Sequence, residues 1–115
     1  MRISIKDLQK MKKTGLKIPM LTAYDYTSAQ ILEKAQIPII LVGDSLGQVV
    51  LGYESTVPVT LDEMIYHAKI VVRATKKTHI VVDLPFLSYQ TNVSDAIRNA
   101  GKVLKETGAQ SVKLE

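Results

Sequence analysis

Pro38-Ile39-Ile40-Leu41-Val42-Gly43-Asp44-Ser45 is the stretch on which the fold turns. Four successive apolar residues without polar alternation read as a strand buried on both faces, the mark of a parallel sheet sandwiched by helices. Gly43-Asp44 stops it. Towards the N-terminus, Thr27-x-x-Gln30 opens a short helix with Ile31, Leu32 and Ala35 on one side, and Ile18–Ala23 reads as an earlier strand. Before that, Ser4-x-x-Asp7 begins a capped helix carrying Ile5, Leu8 and Met11, ended by Gly15. Towards the C-terminus, Gly43 to Pro58 reads as a glycine-containing loop of unusual length, hence a functional segment. Thr60-x-x-Glu63 is a capping box, and the helix behind it presents Leu61, Met64, Ile65, Ala68 and Val72. His79-Ile80-Val81-Val82 is a second buried strand, stopped by Pro85. Asn92 or Ser94 caps the next helix, with Val93, Ala96, Ile97, Ala100 and Leu104 expected inward and Gly108 at its end. Ser111-Val112-Lys113-Leu114 begins a fourth strand.

The order is an N-terminal helix followed by β-α-β-α-β-α-β. Strands separated by helices imply parallel pairing through right-handed crossovers, an α/β fold. A complete (β/α)8 barrel takes about 250 residues, so this chain reads as the first half of a TIM barrel. Residues 1–115 form a single domain on this reading, 1–15 being the N-terminal helix and 16–115 strands one to four with helices one to three. A parallel sheet that stops directly after a strand leaves an edge uncovered, so the chain reads as a fragment whose edges favour self-association.

Composition narrows the function classes. The 115 residues are 46% hydrophobic and 23% charged, which is ordinary for a globular protein and argues against disorder or low complexity. No apolar run approaches the roughly 18 residues of a membrane helix, and charge at Arg2, Lys6 and Asp7 precedes any apolar stretch of signal-peptide length. A soluble cytoplasmic protein without membrane partners is expected. With no cysteine, disulfides, thiolate metal sites and cysteine nucleophiles are excluded from these residues. The net charge of +4 comes largely from lysines of the first helix, with one Phe, no Trp and no basic–aromatic interleaving, so no nucleic-acid partner is expected. Gly43, Gly47 and Gly52 lack dinucleotide-fingerprint and Walker spacing, so nucleotide phosphates are not indicated, and acyl transfer is not expected either.

The informative feature is where the acids fall. Asp25, Asp44, Asp83 and Glu115 each stand at or near the end of an expected strand. The carboxyl ends of parallel strands open on one face, where ligands bind, so the four acids are expected to converge on one mouth. Gathered carboxylates are costly unless a cation compensates them. With no cysteine and two histidines the donor set is oxygen-rich, which suits Mg²⁺, with Mn²⁺ or Co²⁺ as substitutes. A 2-oxo acid would chelate such an ion through its carboxylate and ketone oxygens. Lys113 shares a strand face with Glu115 and is placed to pair with a substrate carboxylate or enolate. Taken singly, Asp44 reads first as a turn residue, Asp83 equally as a solvent-facing acid, and Lys113 with Glu115 as weak evidence. Only the shared placement makes a metal site a balanced alternative. Tyr24 either packs beneath the mouth or lines it. His67 reads as a packing or surface histidine, and His79 begins its strand at the end remote from the acids.

Several segments resemble one family. Leu21-Thr22-Ala23-Tyr24-Asp25-Tyr26, Leu41-Val42-Gly43-Asp44-Ser45-Leu46-Gly47 and Gly52-Tyr53-Glu54-Ser55-Thr56-Val57-Pro58-Val59-Thr60 are similar to ketopantoate hydroxymethyltransferases. So are Asp83-Leu84-Pro85-Phe86 and Val112-Lys113-Leu114-Glu115, in order over essentially the whole chain. The resemblance implies a barrel of the phosphoenolpyruvate/pyruvate superfamily, decameric when complete, acting in pantothenate and coenzyme A synthesis. It implies transfer of a one-carbon unit from 5,10-methylenetetrahydrofolate to 3-methyl-2-oxobutanoate, giving 2-dehydropantoate through an enolate that a metal stabilises. Asp44, Asp83 and Glu115 match the family's Mg²⁺-binding acids, and Ser45, Asp83 and Lys113 its contacts to the 2-oxo acid. The family's general base is a glutamate on a later strand, so no catalytic base is expected in this chain and the 115 residues alone are expected to be inactive. A related carbon–carbon lyase without folate, or a non-catalytic metal-binding half-barrel, are the alternatives.

Overall fold

The computed structural model describes residues 1–114. In chain order the elements are α1 (Ile5–Lys13), β1 (Met20–Thr22), α2 (Tyr26–Lys34), β2 (Ile39–Val42), α3 (Leu46–Val49), α4 (Leu61–Ala74), β3 (His79–Asp83), α5 (Val93–Thr107) and β4 (Ser111–Lys113). The strands form one parallel sheet in the order β1-β2-β3-β4. Thr22 pairs with Leu41, Leu41 with Val81, Val81 with Ser111, and Asp83 with Lys113. The chain is therefore an α/β protein whose consecutive strands are neighbours, an order compatible with part of a barrel. Among the described residues no helix is long and apolar enough to cross a membrane.

One face of the sheet carries the core. Ile40, Val42, Ile80 and Val82 are fully buried, as are Met64, Ala68 and Val71 of α4. Helix α4 packs on β2 and β3, α5 packs on β4, and α2 and α5 flank α4. On the opposite face Ile39, Leu41 and Val81 are only half-buried, and Met20 and Thr22 are exposed. The run Ile39–Val42 is thus not covered on both sides as its sequence implied. Helices cover one face, and the second apolar face is only partly enclosed.

Helix boundaries follow local chemistry. The capping boxes at Ser4/Asp7 and Thr60/Glu63 form as expected, and Asn92 rather than Ser94 caps α5. Gly108 ends α5 in the left-handed conformation, φ 80°, which costs glycine no Cβ strain. Other expectations fail. Helix α2 starts at Tyr26 because Asp25, a stronger cap than Thr27, accepts the Ser28 amide at 2.7 Å. The Gly43–Pro58 loop contains the single turn α3. On α5 the buried positions are Val103 and Thr107, whereas Val93 and Ile97 are exposed at 74% and 68%. Periodicity locates an apolar arc on a helix but not which edge of it the neighbour covers. Ile31 of α2 is exposed for the same reason, and α1 buries none of its residues fully.

The turn from α4 into β3 is clamped from two sides. The Arg2 guanidinium donates to the carbonyls of Val72, Thr75 and Thr78 and to Thr75 Oγ1 at 2.7–2.9 Å, satisfying carbonyls that the helix end leaves open. Glu33 of α2 accepts the amides of Lys76, Lys77 and Thr78 at 2.6, 2.8 and 3.0 Å. Beside Arg2, His79 is buried at the start of β3, its Nδ1–H donating to the Ile3 carbonyl and its Nε2 meeting Ser111 Oγ, both at 2.8 Å. Desolvation pushes the Glu33 carboxyl up, but the three amide bonds outweigh it and hold the pKa below the ordinary value of 4.5. A depressed folded pKa gives stability that is fully present above the unfolded value and lost as pH falls through the folded one. Glu33→Gln should therefore cost about 1 kcal/mol at neutral pH, given partial exposure, and the difference should shrink below pH 4.5. Urea unfolding across a pH series checks this, and a difference independent of pH would contradict it.

Candidate active site

The carboxyl ends of β2, β3 and β4 lie side by side because the register is parallel and in step. Asp83 falls on the half-covered face by alternation with Val81 and Val82, yet its side chain is only 4% exposed. Burial of a carboxylate is tolerable only with donors on its oxygens. Oδ2 accepts the Asp44 amide at 3.0 Å, and Oδ1 accepts Lys113 Nζ at 3.2 Å from the opposite side. Gly43 allows this approach: a Cβ there would lie 3.3 Å from Asp83 Oδ2 and 3.1 Å from Ser45 Oγ. Both oxygens therefore converge on the bare face of Gly43.

Ser45 occupies the cap position of α3 with helical backbone angles, φ −56° and ψ −16°, and makes no capping bond. Its hydroxyl instead lies 2.7 Å from the Tyr24 hydroxyl, which reaches it from the end of β1. Tyr24 is held in turn by His67 of α4, whose Nδ1–H donates to the Tyr24 carbonyl at 2.8 Å. The segment after α3 folds back over it. The Tyr53 amide donates to the Gly47 carbonyl at 2.7 Å, and the Tyr53 hydroxyl donates to Glu63 at 2.9 Å. That bond raises the tyrosine pKa, while the Thr60 amide and hydroxyl of the capping box, with Tyr53, hold Glu63 low. Val59 then seats against Gly47 so closely that any Cβ at Gly47 would overlap its Cγ2.

The arrangement leaves a shallow cleft of about 170 Å³ at the strand ends, lined by Asp44, Thr56, Phe86, Tyr89 and neighbours. Leu87, next in the chain to Phe86 of the lining, adopts φ +68°, a strained setting for a bulky residue, in a turn pinned by the Ser88 hydroxyl to Pro85 and by Asn99 to Ser88.

Of the residues singled out in the sequence, Asp44, Ser45, Asp83 and Lys113 come together here. Asp25 does not join them as expected: its carboxylate caps α2, accepting the Ser28 amide and hydroxyl. An acid at a strand end that also precedes a helix has that second use, and the helix takes it. Glu115 lies outside the described residues. Among the described residues no group of three or more His, Cys, Asp or Glu gathers to hold a metal. His67 and His79 are packing residues with backbone carbonyl partners, as their positions indicated. Sequence reading did not find the Tyr24–Ser45 pair, whose only signal was an aromatic hydroxyl placed one strand away from a Gly-Asp-Ser turn.

A parallel sheet with carboxylate, hydroxyl and ammonium groups gathered at its carboxyl edge is the layout of ligand-binding α/β proteins. A family model described as ketopantoate hydroxymethyltransferase matches residues 2–115, and the chain belongs to that family. It is 63% identical over its whole length to a 3-methyl-2-oxobutanoate hydroxymethyltransferase of Chloroflexus aurantiacus, covering 41% of that relative. Relatives of the same name from Moorella thermoacetica and Carboxydothermus hydrogenoformans are 60% and 57% identical over 99% of the chain, covering 42% and 41% of their lengths. The chain thus spans about two fifths of the curated relatives it matches.

Gly47→Ala should destabilise the fold by about 2 kcal/mol through overpacking against Val59. Val59→Ala in the same chain should recover part of that loss, since it removes the overlapping methyl groups. Thermal or urea unfolding of the single and double variants reads it, and strictly additive effects would contradict the contact.

Proposed function

We propose that these residues form the first half of a (β/α)8 barrel of the phosphoenolpyruvate/pyruvate superfamily type, a single domain carrying the metal side of an active site. The full-length protein, on this reading, transfers a hydroxymethyl group from 5,10-methylenetetrahydrofolate to 3-methyl-2-oxobutanoate, giving 2-dehydropantoate on the route to pantothenate. The observation that carries the proposal is Asp83, buried between the Asp44 amide and Lys113 at the carboxyl edge, in a chain 57–63% identical to relatives named for this activity. The half-covered second face of the sheet, with Ile39, Leu41 and Val81 awaiting full enclosure, supports the barrel. Assembly as a homodecamer and a cytoplasmic location belong to the same reading.

The donor set fits a hard cation. Asp83 and Asp44, whose backbone amide meets the Asp83 carboxylate, have side chains that offer only oxygen, and Mg²⁺ is commonly held by one or two carboxylates plus substrate and water oxygens. Asp44 and Asp83, with Glu115 from the resemblance, would hold one Mg²⁺ per subunit. When bound, that ion would polarise the substrate ketone and stabilise the negative charge that develops on its oxygen. Lys113 balances the Asp83 charge and presents an ammonium, 37% exposed, to a substrate carboxylate. Ser45 supplies a hydroxyl beside the Asp83 carboxylate across Gly43. The C3 proton would be taken by a base that the resemblance puts beyond Glu115; C3 would then bond to the folate-borne methylene carbon, whose two carbon–nitrogen bonds break to release tetrahydrofolate, with water supplying the hydroxyl oxygen.

Asp44→Asn in the full-length protein should weaken Mg²⁺ binding about tenfold or more by calorimetry. Unchanged affinity would remove Asp44 from the ion. A polypeptide of residues 1–115 alone should give no hydroxymethyl transfer in a folate-dependent assay, and detectable product would place the base within these residues.

A further inference from the structure

We propose that Tyr24 is a positioning residue that sets the proton direction of the Ser45 hydroxyl, so that Ser45 donates to an oxygen of the bound 2-oxo acid. The inference rests on the reading of Ser45 as a substrate contact and adds the group that orients it. Three observations carry it. Ser45 stands where a serine ordinarily caps a helix, yet its side chain makes no capping bond. The Tyr24 hydroxyl lies 2.7 Å from Ser45 Oγ, a short hydroxyl–hydroxyl bond between the ends of neighbouring strands. Tyr24 itself is held at its backbone by His67 and packs against the core, so its hydroxyl is delivered from a fixed frame.

The chemistry gives the bond a direction. Each hydroxyl has one hydrogen to give, and Ser45 Oγ also faces the bare side of Gly43, where Asp83 Oδ2 lies. Phenol is the more acidic hydroxyl and the better donor. With Tyr24 O–H donating to Ser45 Oγ, the serine hydrogen is released towards the mouth and meets an acceptor there. A 2-oxo acid brings only acceptor oxygens in its ionised form, so a serine directed this way matches it. Without the tyrosine hydroxyl, Ser45 can rotate to other acceptors, and its hydrogen bond to substrate has to be formed at the expense of that freedom. The interaction is one of ground-state binding. It should therefore act on substrate affinity more than on turnover.

The test is a double-mutant cycle in the full-length enzyme with Mg²⁺ present. Tyr24→Phe keeps the ring and removes only the hydroxyl. It should raise the dissociation constant and KM for 3-methyl-2-oxobutanoate about tenfold, with kcat and the Mg²⁺ affinity nearly unchanged. Ser45→Ala should raise the dissociation constant at least as much, and adding Tyr24→Phe to it should have no further effect. A merely structural tyrosine would instead lower the unfolding temperature and add its penalty to that of Ser45→Ala, and either result overturns the proposal. If Ser45→Ala leaves substrate affinity intact, the reading of Ser45 as a substrate contact fails and the Tyr24 inference falls with it. If Ser45→Ala weakens binding but Tyr24→Phe does not, only the Tyr24 inference is lost.

Discussion

The Asp83 carboxylate is almost wholly withdrawn from water, and the geometry of the strand ends is set by what that requires. An anion in such a place needs donors on both oxygens, and here a backbone amide and an ammonium supply them. The amide belongs to Asp44, so the turn after β2 has to pass directly over the end of β3. Only glycine at position 43 lets it pass without crowding Asp83 and Ser45. The ammonium belongs to Lys113, which reaches Asp83 because β4 pairs with β3 in a register that puts the two residues opposite each other. A slip of one residue in either pairing would turn a partner to the other face of the sheet and leave the charge unmatched. Core packing and site chemistry therefore depend on the same register.

That dependence is also why much of the fold could be read in the sequence. Apolar runs at Ile39–Val42 and Ile80–Val82, and capping boxes at Ser4 and Thr60, are local signals, and each reports one element directly. Parallel order follows from the helices between the strands. The grouping of Asp44, Asp83 and Lys113 was legible because strand ends in such a sheet share one edge, whereas Ser45 was indicated only by the family resemblance. Asp25 misled for the same reason: its place after a strand fits a mouth, but the helix behind it claims the carboxylate as a cap.

What was not legible depends on contacts between distant residues. The clamp of Arg2 and Glu33 on the turn before β3 joins positions some seventy and forty residues apart, with no periodicity to announce it. The Tyr24–Ser45 bond is likewise a product of strand neighbourhood. Burial on α5 was misjudged at Val93 and Ile97 because an apolar arc can exceed the strip its neighbour covers. The N-terminal clamp and the strand-end site lie at opposite ends of β3, so one strand joins them.

On the proposed reading, the strand-end carboxylates would serve an ion that activates a 2-oxo acid at the carbon beside its ketone. Proton–deuterium exchange at C3 of 3-methyl-2-oxobutanoate, followed by NMR in D₂O without folate, tests it most directly. The full-length protein should catalyse exchange only when Mg²⁺ is supplied, and Asp83→Asn should abolish it. Exchange that proceeds equally well without the ion, or no exchange by a folded and Mg²⁺-loaded protein, would contradict the account.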